Sequence, residues 1–267
     1  MKLFACITLL SLTLSVSAAT APAQGVVTVL PKSTAKTAQK GKPLTDAQKL
    51  IRFDEAFQFE TADPTHTKRL KLMCFELKQR AVPTLIKVMK ENTYPEKNRW
   101  HATMLLGQIM GKKSAPFIAR FAEHPAWMMR VASLKALAAL GMSEYHAVYA
   151  RGLKDDSLIV RVQALDNISQ MKLTTLAPNV WNMMYDASNY TGKAGARKRT
   201  SIVRSVIRTI GDLKYEKARA PLAKLIQKPK YQDLMEDLDY SLEKISGKTS
   251  PSKTAAETRK FWATASI

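Results

Sequence analysis

Three stretches of this chain align without a gap at a spacing of 31 residues. RWHATMLLGQIMGKKSAPFIARF begins at Arg99, RVASLKALAALGMSEYHAVYARG at Arg130, and RVQALDNISQMKLTTLAPNVWNM at Arg161. Leu106, Leu137 and Ile168 share one column, and Ile109, Leu140 and Met171 share another. Pro116, Ala147 and Pro178 open the second half of each block. Proline is tolerated at the first turn of a helix, where its missing N–H has no partner to lose. The same second-half pattern occurs earlier as AVPTLIKVM with Pro83 and later as ARAPLAKLI with Pro221. After an insertion near 186–196, SIVRSVIRTIG restores the first-half pattern, and Asp233 to Ile245 supplies a closing helix. Long alternating strand patterns are absent. A period of this length predicts helix pairs that bury their apolar faces only against neighbouring pairs.

The blocks resemble HEAT repeats, and their short period is similar to the phycobilisome-lyase HEAT-like type. The resemblance rests on a first helix with Leu106-Gly107, a turn, and a second helix opening with Val82-Pro83, and it covers about residues 64–247. It implies an all-α fold, a right-handed α-solenoid of about five to six helix pairs with the second helices on its concave face. Ankyrin repeats would need a Thr-Pro-Leu-His signature, and tetratricopeptide repeats would need recurring Trp, Gly and Tyr; neither is present.

The two ends of the chain read differently. Lys2, the apolar run Leu3 to Val16 and the small residues Ser17-Ala18-Ala19 describe a cleavable export signal. The run is shorter than the roughly 20 residues that span a bilayer, so cleavage is expected over anchoring. The expected organisation is a signal peptide at 1–19, a basic disordered linker at 20–44 rich in Thr, Ala, Pro and Lys, the solenoid at 45–247 and a tail at 248–267. Thr45 reads as an N-cap. Periplasmic or secreted localisation follows. Cys6 leaves with the signal, and the remaining Cys74 sits among Leu72, Met73 and Phe75, which predicts a buried apolar thiol.

Forty-two Lys and Arg face 22 Asp and Glu, a formal charge of +20, while 46% hydrophobic residues exclude a wholly disordered chain. Catalytic patterns are hard to find. His66, His101, His124 and His146 include no i, i+4 metal pair, and no Gly-rich phosphate loop occurs. Phycobilin lyases resemble these repeats, but that role needs a phycobiliprotein inside a photosynthetic cell, against export. Alkylpurine DNA glycosylases with HEAT-like repeats use Trp, Asp and Arg; Trp127, Asp166, Trp181 and Arg161 supply the types without a matching motif, and the column of Trp181 reads as core. The expectation is a non-catalytic chain without cofactor or metal. A nucleic-acid-binding array is the alternative, which export disfavours.

The basic columns point to binding. Lys87, Arg120 and Arg151 stand four residues after the second-helix proline position, and Lys90 and Lys154 seven after it. Residues three apart share a helix face, so the columns merge into one stripe across successive helices. A further cluster, Lys193, Arg197, Lys198 and Arg199, lies in TGKAGARKRTSIVRSVIR and is either an anion contact or a solvated loop. Asn189-Tyr190-Thr191 there is formally a glycosylation sequon. The expected partner is an acidic protein or an anionic envelope polymer.

Overall fold

The computed structural model describes residues 43–61, 63–191, 198–251 and 254–265. The signal segment, nearly all of the linker, and Lys193 and Arg197 lie outside them.

Chain order sets the architecture: one helix, α1 (Asp46–Gln58), precedes six helix pairs. Thr45 starts α1 with a reciprocal cap, its hydroxyl accepting from the Gln48 N–H at 3.3 Å while the Gln48 side chain accepts from the Thr45 N–H at 2.9 Å. Phe53 and Phe57 of α1 are buried edge to face, 5.1 Å apart. The pairs are α2 (His66–Leu77) with α3 (Val82–Lys90), α4 (Glu96–Met110) with α5 (Ala115–Ala119), and α6 (Trp127–Ala139) with α7 (His146–Gly152). They continue as α8 (Leu158–Gln170) with α9 (Ala177–Asn182), α10 (Ile202–Asp212) with α11 (Arg219–Ile226), and α12 (Met235–Ser246) with α13 (Ala255–Thr264). Pro83, Pro116 and Pro178 sit in the first turns of α3, α5 and α9.

The turn inside each of the first five pairs needs one residue at positive φ. Gly111 and Gly141 supply it in two, but Lys78, Lys172 and Lys214 supply it in the others, at φ 53°, 54° and 50°. The turn geometry therefore recurs where the glycine does not.

First helices pack directly on one another from α2 to α12, and each second helix leans on the first helix of the following pair. Small side chains permit the close approach. A Cβ on Gly211 of α10 would lie 2.7 Å from the Ser241 Cα of α12. Polar groups in the seam are satisfied across pairs: Ser133 donates to the Ile118 carbonyl (2.8 Å), Asn167 to that of Leu134 (2.9 Å) and Ser241 to that of Ile207 (2.7 Å). Leu106, Leu137 and Ile168 are fully buried in this seam, as their shared column requires.

Residues 248–267 are not a simple tail. They include α13, which packs on α11 and buries Trp262, whose indole N–H donates to Asp239 at 2.6 Å. The helix starts with its own cap, the Thr254 hydroxyl accepting from the Glu257 N–H at 3.3 Å. α13 is the longest of the second helices at 10 residues, and it lacks the opening proline found in α3, α5 and α9. The 186–201 insertion holds a two-residue antiparallel ladder, Tyr190 opposite Arg199 and Thr191 opposite Lys198. Among the described residues no helix is long and apolar enough to cross a membrane.

Candidate functional site

Lys87, Lys90, Arg120, Arg151 and Lys154 are all exposed on the second-helix side of the stack. Their helices are short: α5 and α7 give way to tighter turns within two helical turns of their starts, so these side chains stand near helix C-termini. Cations there are favoured by the helix dipole.

The structure divides the stripe by partner. Lys87 donates to Asp54 at 3.1 Å, and Tyr94 donates to the same carboxylate at 2.7 Å. Hydrogen bonding with Tyr94 and then with Asp54 pushes the Lys87 pKa upward, while Asp54, though partly desolvated, is lowered by its bonds to Tyr94, Lys87 and Gln58. Arg151 is ion-paired with Glu123. Lys90, Arg120 and Lys154 make no ion pair within the described residues, and two of them converge on one ring. The Lys90 ammonium lies 5.8 Å and the Arg120 guanidinium 5.1 Å from the Phe117 centroid. Phe117 in turn meets buried Phe121 edge-on at 5.3 Å. The result is an open cleft of about 250 Å³ with an aromatic floor and two cationic sides. A second cleft, about 540 Å³, holds Arg151 and Lys154 and shares Glu123 and His124 with the first.

Between the clefts, His124 accepts the Ala126 N–H on Nδ1 at 3.0 Å, and its Nε2 lies 2.9 Å from Arg99. Burial, then the Arg99 charge, lowers its pKa.

Sequence reasoning gave no structural role to the residues that hold these walls. Arg99, Arg130 and Arg161 open the first helices of three successive pairs, 31 residues apart, and each reaches into the loop around the preceding second helix. Arg99 is buried and donates twice to the Met89 carbonyl, at 3.3 and 3.0 Å. Arg130 forks onto Asp155 with both contacts at 2.7 Å and also donates to the His124 and Pro125 carbonyls, at 2.9 and 2.8 Å. The hydrogen bond to Asp155 raises the Arg130 pKa. Arg161 donates to the Asp155 carbonyl, to Ser188 at 2.7 Å and to Asn189 at 2.6 Å. Asp155 also accepts the Ser157 N–H at 2.8 Å, so one residue ties Arg130, Arg161 and the start of α8 together. The signal was in the alignment, where an arginine heads all three blocks.

Lys198 is exposed on its two-residue strand, apart from both clefts, and Arg199 pairs through its backbone with Tyr190. The sequon is closed to a glycan: Asn189 is fully buried, accepting from Arg161 and donating to the Met183 carbonyl at 2.8 Å. Of the residue types weighed for base excision, Arg161 is committed to the loop bonds above. Trp181 packs on the core with its ring 5.9 Å from Tyr185, and Trp127 is exposed. Asp166 is exposed at one edge of its helix, with partial burial raising its carboxyl pKa. Cys74 is a buried free thiol, its pKa pushed up to about 11 by desolvation. Among the described residues no three His, Cys, Asp or Glu groups converge on a metal-sized site.

Six stacked helix pairs, a 31-residue period and an arginine at the head of three successive pairs decide the family resemblance. The stack of helix pairs resembles HEAT-like repeats in element order and packing. No family model matches it, and no curated protein does. A solved structure similar to it is the complex of CpcE and CpcF of phycocyanin lyase from Nostoc sp. PCC7120, with 13% identity, a TM-score of 0.42, and coverage of 87% of this chain and 99% of that one. This finding corrects the expectation of a non-catalytic chain.

Proposed function

We propose that this HEAT-like chain is an exported scaffold that binds an acidic protein segment along its second-helix side. The observation that carries the reading is Phe117 with Lys90 and Arg120 beside it, two cations that make no ion pair among the described residues. Cations over an aromatic floor suit a carboxylate that arrives with an adjoining apolar group, as in a folded acidic peptide. The flanking cations Lys87 and Arg151 are already paired with Asp54 and Glu123. Positive and negative groups therefore alternate along the face, which favours discrete acidic side chains over a uniform polyanion. The order Lys2, apolar run, small residues supports export.

Two measurements test the reading. The chain, immobilised, should capture an acidic protein from envelope extracts, and Lys90→Glu with Arg120→Glu should lower capture about tenfold or more. Lys97→Glu with Lys135→Glu, exposed on first helices, should lower it far less. Equal losses would mean that total charge alone drives binding. Capture should weaken as salt rises toward a Debye length of about 8 Å. N-terminal sequencing should place the mature start between Ala19 and Gly25; an intact Met1 on the soluble protein defeats the export half.

A further inference from the structure

The inward side of α2 carries Leu70, Cys74 and Leu77, all buried, and its opposite side presents Lys68, Lys71, Leu72 and Phe75. Positions 68, 71, 72 and 75 follow helical spacing and so share one face. Leu72 is 62% and Phe75 41% exposed, and the Lys71 ammonium lies 5.7 Å from the Phe75 centroid. The basic face continues past the end of the helix. Lys78 is exposed in the turn that follows, and Gln79 beside it donates to the Ile109 carbonyl at 3.2 Å. That bond sets the turn against the end of α4, where Lys112 and Lys113 are exposed in the next turn. None of these five lysines makes an ion pair among the described residues. Glu76, the one acid of α2, is held by Lys49 at 2.6 Å, and Asp46 is held by Arg80.

We propose that this face docks on an anionic lipid bilayer, with Leu72 and Phe75 entering the acyl boundary and Lys68, Lys71, Lys78, Lys112 and Lys113 among the headgroups. Charge complementarity and the interleaving of apolar with basic side chains select that occupant. A cluster of lysines next to an anionic leaflet gains from its negative surface potential. A soluble polyanion would meet the lysines but offer no apolar medium to Leu72 and Phe75, which stand between them. A bilayer interface presents phosphates and acyl chains at one surface. There lysine stems lie along the apolar boundary while their ammonium groups stay in the headgroup layer. Neither contribution suffices alone, because a small apolar insertion gives only marginal, reversible attachment until a basic patch adds to it. The face shares no residue with the Lys90–Phe117–Arg120 cleft, and the proposal does not depend on what that cleft binds.

Vesicle flotation tests this, with the chain taken from Thr20 onward so that the apolar run Leu3 to Val16 cannot itself enter lipid. Vesicles of phosphatidylcholine with about a third phosphatidylglycerol should carry the chain, and vesicles of phosphatidylcholine alone should not. Lys68→Gln with Lys71→Gln should weaken binding about tenfold or more, since each lysine near an anionic surface contributes about fivefold. Leu72→Ser with Phe75→Ser should weaken it comparably without lowering Tm, because both side chains are exposed. Ile159→Ser, an equally exposed site on α8, should leave flotation intact, and so should Lys172→Gln with Lys214→Gln, exposed lysines of later turns. Lys90→Glu with Arg120→Glu should also leave it intact, so this proposal and the acidic-segment reading fail separately. No flotation, or an equal loss from the Lys172 and Lys214 pair, overturns the proposal. Binding that is indifferent to Leu72→Ser with Phe75→Ser overturns it too, and makes a soluble polyanion the occupant.

Discussion

Replacing Gly211 by alanine should destabilise the chain, whereas the same change at Gly107 should not. Both glycines lie in first helices, where intrinsic propensity favours alanine by about 1 kcal/mol. Their surroundings differ. At Gly107 the new methyl would meet only Ile118 and Leu140 side-chain carbons at 3.8 Å, an ordinary contact. At Gly211 it would meet Ser241 at 2.7 Å to Cα, 2.9 Å to Oγ and 3.0 Å to Cβ. Carbon pairs prefer about 3.5–4.0 Å, so α10 and α12 must separate by the better part of an ångström. Ser241 cannot swing aside cheaply, because its hydroxyl is bonded to the Ile207 and Asp237 carbonyls. Overpacking of this kind costs about 1–3 kcal/mol, which offsets or exceeds the propensity gain. Urea unfolding followed by far-UV circular dichroism should show Gly211→Ala less stable by about 1–2 kcal/mol and Gly107→Ala unchanged or up to about 1 kcal/mol more stable. Equal effects at both sites, or a stabilised Gly211→Ala, would refute the close approach of α10 to α12.

Leu137→Ala empties a fully buried site in the central seam and should cost about 2–5 kcal/mol; a loss below about 0.5 kcal/mol in the same assay would mean that the side chain is not in the core. Asp155→Ala should cost about 2–4 kcal/mol, because it strands the half-buried Arg130 guanidinium and removes the acceptor of the Ser157 N–H ahead of α8, and Asp155→Asn should recover part of that by keeping an acceptor; equal losses from both would mean that neither contact matters. His66, His101 and His124 all have pKa values lowered from 6.5, first by burial. A base with a lowered folded pKa binds fewer protons folded than unfolded, so stability present above about 6.5 is lost as pH falls below it. The lowered carboxylates, Asp54, Asp63 and Asp186, begin to matter only near 3.8, so a urea midpoint that fails to drop between about pH 7 and 5 would contradict the histidine assignment.

The 31-residue period determined the fold class, because a helix pair that cannot bury its own apolar face has one stable outcome, stacking on its neighbours. The column of Leu106, Leu137 and Ile168 identified the seam, since burial depends on a local periodicity that any register of the stack preserves. The opening prolines located second helices for the same local reason. Other features depended on which chain segments meet, and spacing does not encode that. Lys87 and Arg151 looked equivalent to Lys90 and Arg120 in the sequence. Asp54, 33 residues before Lys87, and Glu123, 28 before Arg151, neutralise the first two and leave the second two on Phe117. Arg161 resembled a reactive group by residue type, and only the return of the 186–189 loop made it a structural tie. The second helix of the last pair was read as a tail because no block there repeats the second-helix pattern, and its place is fixed by packing on α11 and by Trp262 donating to Asp239 of α12. Periodicity reports the side of a helix that is buried; charge pairing and end closure are decided by distances between residues far apart in the chain, which exist only once it is folded.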